Sequence, residues 1–388
     1  MNTDAPPEAF AAALAALPHM SVHRLGALLR HHTPLDAFRV AAGDLRPSGL
    51  IERVLLDDAV RAAWRRAAQP VAVERLWQRC QHAAIHVLVQ GAPDYPELLL
   101  CDPLPPPVLF AQGDLALLSA RRAAIVGTRN ATAAGRDTAT TLGRDLAEAG
   151  VHVVSGLARG IDGCAHRGAL QSAGSGRPIG VVASGHDVAY PREHRALWRE
   201  VGERGLLLSE SPPGTAPEAY RFPLRNRLIA ALSEVVVVVE SREHGGSLIT
   251  VNEAIARGVP LMAVPGGLHN RAALGTNQLI RDGAGVVVDA GDVLTALAID
   301  HRRASVPVGD PRPRLTGADL DVYEACAGSP RTIDGLALAC SVSLVDAAMA
   351  VARLELAGWI QQADGWFEAV GAPSRQSRSD RHVHTRRR

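Results

Sequence analysis

"RFPLRNRLIAALSEVVVVVE", residues 221–240, holds a helix-like stretch, a short turn and the most apolar run of the chain. Leu224, Leu228, Ala231 and Leu232 form an inward stripe and Pro223 presets the first turn, so a helix is placed at 224–232. The valines that follow are continuous rather than alternating, the pattern of a strand covered on both faces. Such a strand belongs to a parallel sheet lying between helices. Arg221, Arg225 and Arg227 crowd the start of the helix, where the partial positive charge of the N-terminus disfavours cations by roughly 0.3–1 kcal/mol. Their position points to an anion. The plainer alternative is that they pair with Glu210, Glu240 or Glu253.

The same unit repeats to either side. Strands are expected at 123–127, 151–156, 179–183, 205–210, 235–240, 260–266 and 285–289, with helices at 134–149, 163–173, 194–203, 224–232, 247–257 and 275–282. Strand, glycine-rich loop and helix in alternation define an α/β fold with a doubly wound, mostly parallel sheet. Ligands on such a sheet bind beyond the carboxyl ends of the strands.

Other segments differ in character. Residues 1–70 are rich in Ala, Leu and Arg at helical spacing, which fits a small helical (SAM or helix-hairpin-helix-like) domain or, equally, a plain helical cap. Residues 71–114 combine extended pieces with proline clusters and read as a connecting part of a core spanning 71–300. A Pro/Arg linker covers 301–314. Residues 315–371 carry helices near 317–327, 332–339 and 343–357 and a hairpin turning at Asp364-Gly365, the outline of a winged helix. The tail at 372–388 is basic and is expected to be disordered.

With 388 residues, 47% hydrophobic and 21% charged, the composition is that of a soluble globular protein with room for two or three domains. The formal net charge of +1 neither favours nor excludes nucleic acid, since a local basic groove can sit on a neutral protein. Every basic residue is arginine, so any anion site must use the planar guanidinium fork. Cys80, Cys101, Cys164, Cys326 and Cys340 form no C-x-x-C pair, which argues for a reducing cytoplasm over a disulfide framework or zinc site. "AFAAALAALPHM" follows Asp4 and Glu8 without a basic segment and is not read as a signal peptide. No run approaches the ~18 apolar residues of a membrane span.

The candidate chemistry lies in the loops after the strands. "IVGTRNATAAG" puts Gly127, Thr128 and Arg129 at the first strand's end; it is neither a dinucleotide fingerprint nor a Walker A loop, yet its hydroxyl and guanidinium suit a phosphate. In "SGLARGIDGCAHRGAL", Gly156 and Gly160 permit close backbone approach, Arg159 adds charge and Asp162 caps the next helix; His166 has no nucleophile at useful spacing and is assigned to packing. "ASGHDVAYPREH" follows, with Asp187 and Tyr190 as ordering residues. In "VESREHGGSLIT", Gly245, Gly246 and Ser247 open a helix with free backbone amides. "VPGGLHNRAALGTNQLI" is a fifth glycine-rich crossing.

These motifs, in this order, resemble the DNA-processing protein A family (DprA, or Smf). The shared stretches are "IVGTR", "SGLARGID..AH.GAL", "SE.PPGT", "FP.RNR.IAALS", "GGSLIT..EA" and "GTNQLI..GA". "PDYPELL" before them and "LEL.GWI....GWF" after them extend the likeness over most of the chain. Two positions depart from it: Gly245 stands where the family usually has Ser, and Ser184-Gly185-His186-Asp187 is unusual in its loop. The resemblance implies an extended Rossmann-like core and a cytoplasmic, non-catalytic protein without cofactor or metal. It also implies binding of incoming single-stranded DNA, loading of the recombinase RecA in natural transformation, and dimerisation through the core. Carried onto matching positions, it implicates Thr128, Arg129, Gly156, Arg159, Arg225, Asn226, Arg227, Gly246 and Ser247 in binding nucleic acid.

Two other readings compete. One is a nucleotide-binding or nucleotide-hydrolysing enzyme of the lysine-decarboxylase-like Rossmann type, whose P-G-G-x-G-T-x-x-E loop is split here in "PGGLHNRAALGT". No paired carboxylates or metal-ligand cluster replaces that loop. The other is a scaffold whose winged unit grips duplex DNA. The candidate helix "SLVDAAMAVARLELAGW" offers only Arg353 to a major groove, which favours a protein contact instead. With aromatics at 4% of residues, phosphate contacts rather than base stacking are expected to dominate DNA binding.

Overall fold

The computed structural model describes residues 5–47, 58–298, 312, 315–363 and 365–370. The linker at 301–314, apart from Arg312, the hairpin residue Asp364 and the tail at 372–388 lie outside the described residues.

A nine-stranded sheet organises the larger unit. In chain order the strands are β1 (Ile85–Val89), β2 (Val108–Gly113), β3 (Arg122–Val126), β4 (His152–Ser155), β5 (Pro178–Val181), β6 (Leu206–Ser209), β7 (Val235–Val238), β8 (Leu261–Ala263) and β9 (Gly285–Val286). Their spatial order is β1-β2-β6-β5-β4-β3-β7-β8-β9. From β6 to β9 every pairing is parallel. Strands β3 to β7 are buried along their whole length, as their continuous apolar runs require.

The chain winds outward from β3 through β4 and β5 to β6, then returns to the other side of β3 for β7, β8 and β9. The winding direction therefore reverses between β3 and β7, which pair from Ala123↔Val235 to Val126↔Val238. A crevice opens at the strand ends of such a switch point, because the loops on its two sides diverge to opposite faces of the sheet.

Two details add to the sequence reading. The extended pieces in residues 71–114, read as a connecting part of the core, are strands of the main sheet itself: β2 pairs antiparallel with β6, and β1 with β2. The second detail is the helix after "PPGT", which runs Arg221–Ala231 and so starts a turn earlier than expected. Pro223 then falls in the first turn, where its missing amide has no intrahelical acceptor to lose. Arg225 and Arg227 accordingly lie in the second turn.

Helices Pro7–Ala15, Val22–His31, Pro34–Ala42, Asp58–Ala67 and Pro70–His82 share one core with β1 and β2. Phe10 and Phe38 pack there at 5.8 Å, and Trp64 Nε1 donates to the Pro18 carbonyl at 2.7 Å. Ser21 and Thr33 cap the second and third helices through the amides of Arg24 and Asp36.

The second unit has three helices, Ala318–Gly328, Ile333–Cys340 and Leu344–Leu356, and an antiparallel hairpin, β10 (Ile360–Ala363) with β11 (Trp366–Ala369). Tyr323 and Trp359 meet edge to face at 5.2 Å in its core, and the Arg312 guanidinium covers Trp359 at 3.8 Å. Arg353 is held by Asp319 at 2.6 Å. Among the described residues no single helix is long and apolar enough to cross a membrane.

Candidate nucleic-acid interface

The crevice at the switch point contains a cavity of about 630 Å³. Its walls come from the loop after β3, the turn after β4, the start of helix Arg221–Ala231 and the start of helix Ser247–Ala256. Of the residues singled out in the sequence, Thr128, Arg129, Arg225, Asn226, Gly246 and Ser247 line it.

The loop after β3 is pinned from both sides. The Thr128 amide donates to the Glu240 carbonyl at 2.8 Å, and the Thr128 carbonyl accepts from the Ile161 amide at 3.3 Å. Gly160 makes the second contact possible: its φ of +73° suits glycine, and a β-carbon there would lie 2.3 Å from the Thr128 carbonyl oxygen. Arg129 is thereby carried to the exposed rim, with its guanidinium 5.2 Å from the centre of the Phe222 ring. Across the cavity, helix Ser247–Ala256 begins with no side-chain cap, because its N-cap residue is Gly246, and the Ser247 hydroxyl is turned to Ser241 Oγ at 2.9 Å. Its first amides and its dipole favour an anion.

Arg225 lies at the base of the cavity and is 6% exposed. Its Nη1 donates to the Val181 carbonyl at 2.6 Å, and its Nε has no partner. Among the described residues no carboxylate lies within ion-pair distance of it. Burial lowers its pKa to about 10; the nearby Asp162 carboxylate opposes that shift and Arg129 adds to it. Asp162 itself is raised above the usual carboxylate range by burial, against the pull of Arg225 and of hydrogen bonds from the Gly156 and Ala158 amides. The Gly156 amide reaches Asp162 Oδ2 at 3.1 Å. Asp162 therefore shapes the turn after β4 and offsets part of the buried charge.

Three implicated residues do not line the cavity. Gly156 lies behind it, against the Arg225 guanidinium. Arg159 is exposed on the surface and paired with Glu193. Arg227 is buried: it pairs with Glu210, donates to the Leu104 carbonyl at 2.6 Å and lies 4.0 Å from Asp102. For Arg227 the ion-pair alternative accounts for the residue, and its partner is the Glu210 named in the sequence reading. His166 is wholly buried and pushed down to about 3 by burial, in keeping with packing.

Among the other residues lining the cavity that the sequence reading did not assign to it are Tyr190, Phe222 and Arg242. The Tyr190 and Phe222 rings meet at 5.3 Å and form an apolar wall. Tyr190 and Arg242 belong to loops already marked as following strands, and Phe222 to the arginine-rich helix start at 221–227. Their place at the strands' carboxyl ends was the available signal, and low aromatic content hid it.

The sequence profile of the family described as DNA recombination-mediator protein A matches residues 86–298. The DNA processing protein DprA of Bacillus subtilis is 41% identical over 194 residues, a match spanning 50% of this chain and 65% of that protein. The putative DNA processing protein DprA of Mycobacterium tuberculosis is 39% identical over 280 residues, spanning 70% of this chain and 71% of that one. The X-ray structure of DNA processing protein A from Streptococcus pneumoniae superimposes with a TM-score of 0.61 at 28% identity, covering 75% of this chain and 98% of that one. The ordered motifs, the sheet that winds outward from β3 and these matches agree, and the chain belongs to the DNA recombination-mediator protein A family.

Proposed function

We propose that this protein binds single-stranded DNA in the crevice between β3 and β7, without turnover, and passes it to the RecA recombinase during natural transformation. The observation that carries the reading is Arg225: a guanidinium that lines the cavity, is only 6% exposed and has no carboxylate within ion-pair distance among the described residues. Such a group favours an anion from outside the chain. Arg129, Arg242 and the uncapped helix N-terminus face the same space. The RecA step rests on family membership.

The hydrolase reading is less well supported. Asp162 is the only carboxylate among the described residues lining the cavity, and it is held by backbone amides rather than poised over open space. Dimerisation through the core is supported by the sheet edge: β9 is exposed, and Val286 within it and Val288 just after it present apolar surface, an arrangement that favours a covering partner. All five cysteines are free, which fits a reducing cytoplasm.

The test is binding to single-stranded and duplex DNA over a salt titration. Single strands should bind more tightly, with affinity falling steeply as salt rises. A salt-insensitive, base-specific interaction would overturn the reading.

A further inference from the structure

We propose that the cavity takes a nucleoside phosphomonoester, supplied either as a free nucleotide or as the 5′-phosphorylated end of a strand. This rests on the crevice being the DNA site, and it specifies which part of a nucleic acid the site is built to hold.

Charge is the first observation. Arg129, Arg225 and Arg242 line the cavity against the single carboxylate of Asp162, leaving at least two positive charges in excess. The N-terminus of helix Ser247–Ala256 adds about half a charge more. A phosphodiester inside a strand brings one negative charge per nucleotide. A phosphomonoester brings about −1.5 to −2 at neutral pH, together with three acceptor oxygens. The monoester is the better match to this excess within a single-nucleotide space.

Shape is the second. A cavity of about 630 Å³ lies within the roughly 300–1,000 Å³ of pockets that enclose one small ligand. Its contents are divided: Arg225, Gly246 and Ser247 form a polar end, and the Tyr190–Phe222 pair forms an apolar wall. Tyr190 is 42% exposed, so its ring is open to a base. A β-carbon at Gly246 would meet nothing within 4 Å, which leaves the helix amides accessible to a phosphate. Arg225, which lines this end, is 6% exposed and has no carboxylate within ion-pair distance among the described residues, and it is the independent sign that an anion completes it.

The experiment is competition against a 3′-labelled oligothymidylate on the full chain, read by fluorescence anisotropy. Thymidine 5′-monophosphate should displace the label at concentrations at least about tenfold below those needed for thymidine or inorganic phosphate, since each competitor lacks one half of the recognised group. Tyr190→Leu should weaken the monophosphate by about fivefold or more and leave inorganic phosphate unchanged. Comparing 5′-phosphorylated with 5′-hydroxyl oligonucleotides identifies the source: tighter binding of the former assigns the site to strand ends, and equal binding assigns it to free nucleotides. If the oligonucleotide binds but the monophosphate does not compete, or inorganic phosphate competes equally, this proposal falls while the DNA reading stands. If the oligonucleotide fails to bind, the DNA reading falls. Direct calorimetric titration with the monophosphate then decides the nucleotide proposal: heat of binding supports it, and its absence overturns it.

Discussion

Gly156 lies directly against the guanidinium of Arg225: a β-carbon at position 156 would sit 1.8 Å from Arg225 Nη1. The turn after β4 is thus the bed on which the buried arginine rests, and glycine is the residue that lets it rest there. Gly156→Ala is expected to push the guanidinium off the Val181 carbonyl. DNA affinity should fall at least about tenfold, with a stability loss of about 1–3 kcal/mol from overpacking. Anisotropy and denaturant unfolding on the same sample check both. Unchanged affinity would show that Arg225 is not a DNA ligand.

Arg129 and Arg225 should separate under alanine substitution. Arg129 is exposed at the rim, so Arg129→Ala should move stability by no more than about 0.5 kcal/mol while lowering affinity and reducing the salt slope by about one. Arg225→Ala should lower affinity too, but it leaves the buried Val181 carbonyl without this donor and removes the charge that draws the Asp162 pKa down, at a cost of about 1–3 kcal/mol. Its place in the second turn removes the argument from the helix dipole for a neutral or stabilising effect.

For Arg227 the expectation is reversed. Arg227→Ala strands the partly buried Glu210, whose carboxyl burial already pushes up, and should cost about 3 kcal/mol. Protein that remains folded should bind DNA normally. A loss of binding at full stability would restore Arg227 to the site.

Acidification should destabilise the core. Burial pushes His166 down to about 3 and His186 down to about 4, below the ordinary histidine value of 6.5. Below about pH 6.5 the unfolded chain takes up protons that the folded chain refuses, so stability is full above that value and is lost as pH falls towards 4. At pH 5 the loss should be about 2 kcal/mol per histidine. The raised pKa of Asp162 acts in the opposite sense, its cost growing as pH rises through the folded value. Thermal unfolding from pH 7.5 to 5 reads the sum. His186→Gln, which keeps an N–H for the Leu207 carbonyl, should flatten the slope by about one proton.

What the sequence by itself determined is everything set by local periodicity. A run such as Val235–Val238 must be covered on both faces, and a helix between two such runs must cover them, so the parallel α/β sheet was legible from spacing alone. The loops holding Thr128, Arg129, Gly246 and Ser247 were legible for the same reason, as breaks that follow strands. The fate of each arginine was not. Arg225 meets a carbonyl 44 residues away, while Arg227, two positions later, meets Leu104 at a separation of 123 and Glu210 at 17. Only the tertiary structure decided that one guanidinium faces the cavity and the other is neutralised inside the protein. It also decided that Tyr190 and Phe222, 32 positions apart, form a wall. Neighbours in sequence differ in this way because side chains two apart on a helix point to different surroundings, and packing across the sheet alone determines what those surroundings contain.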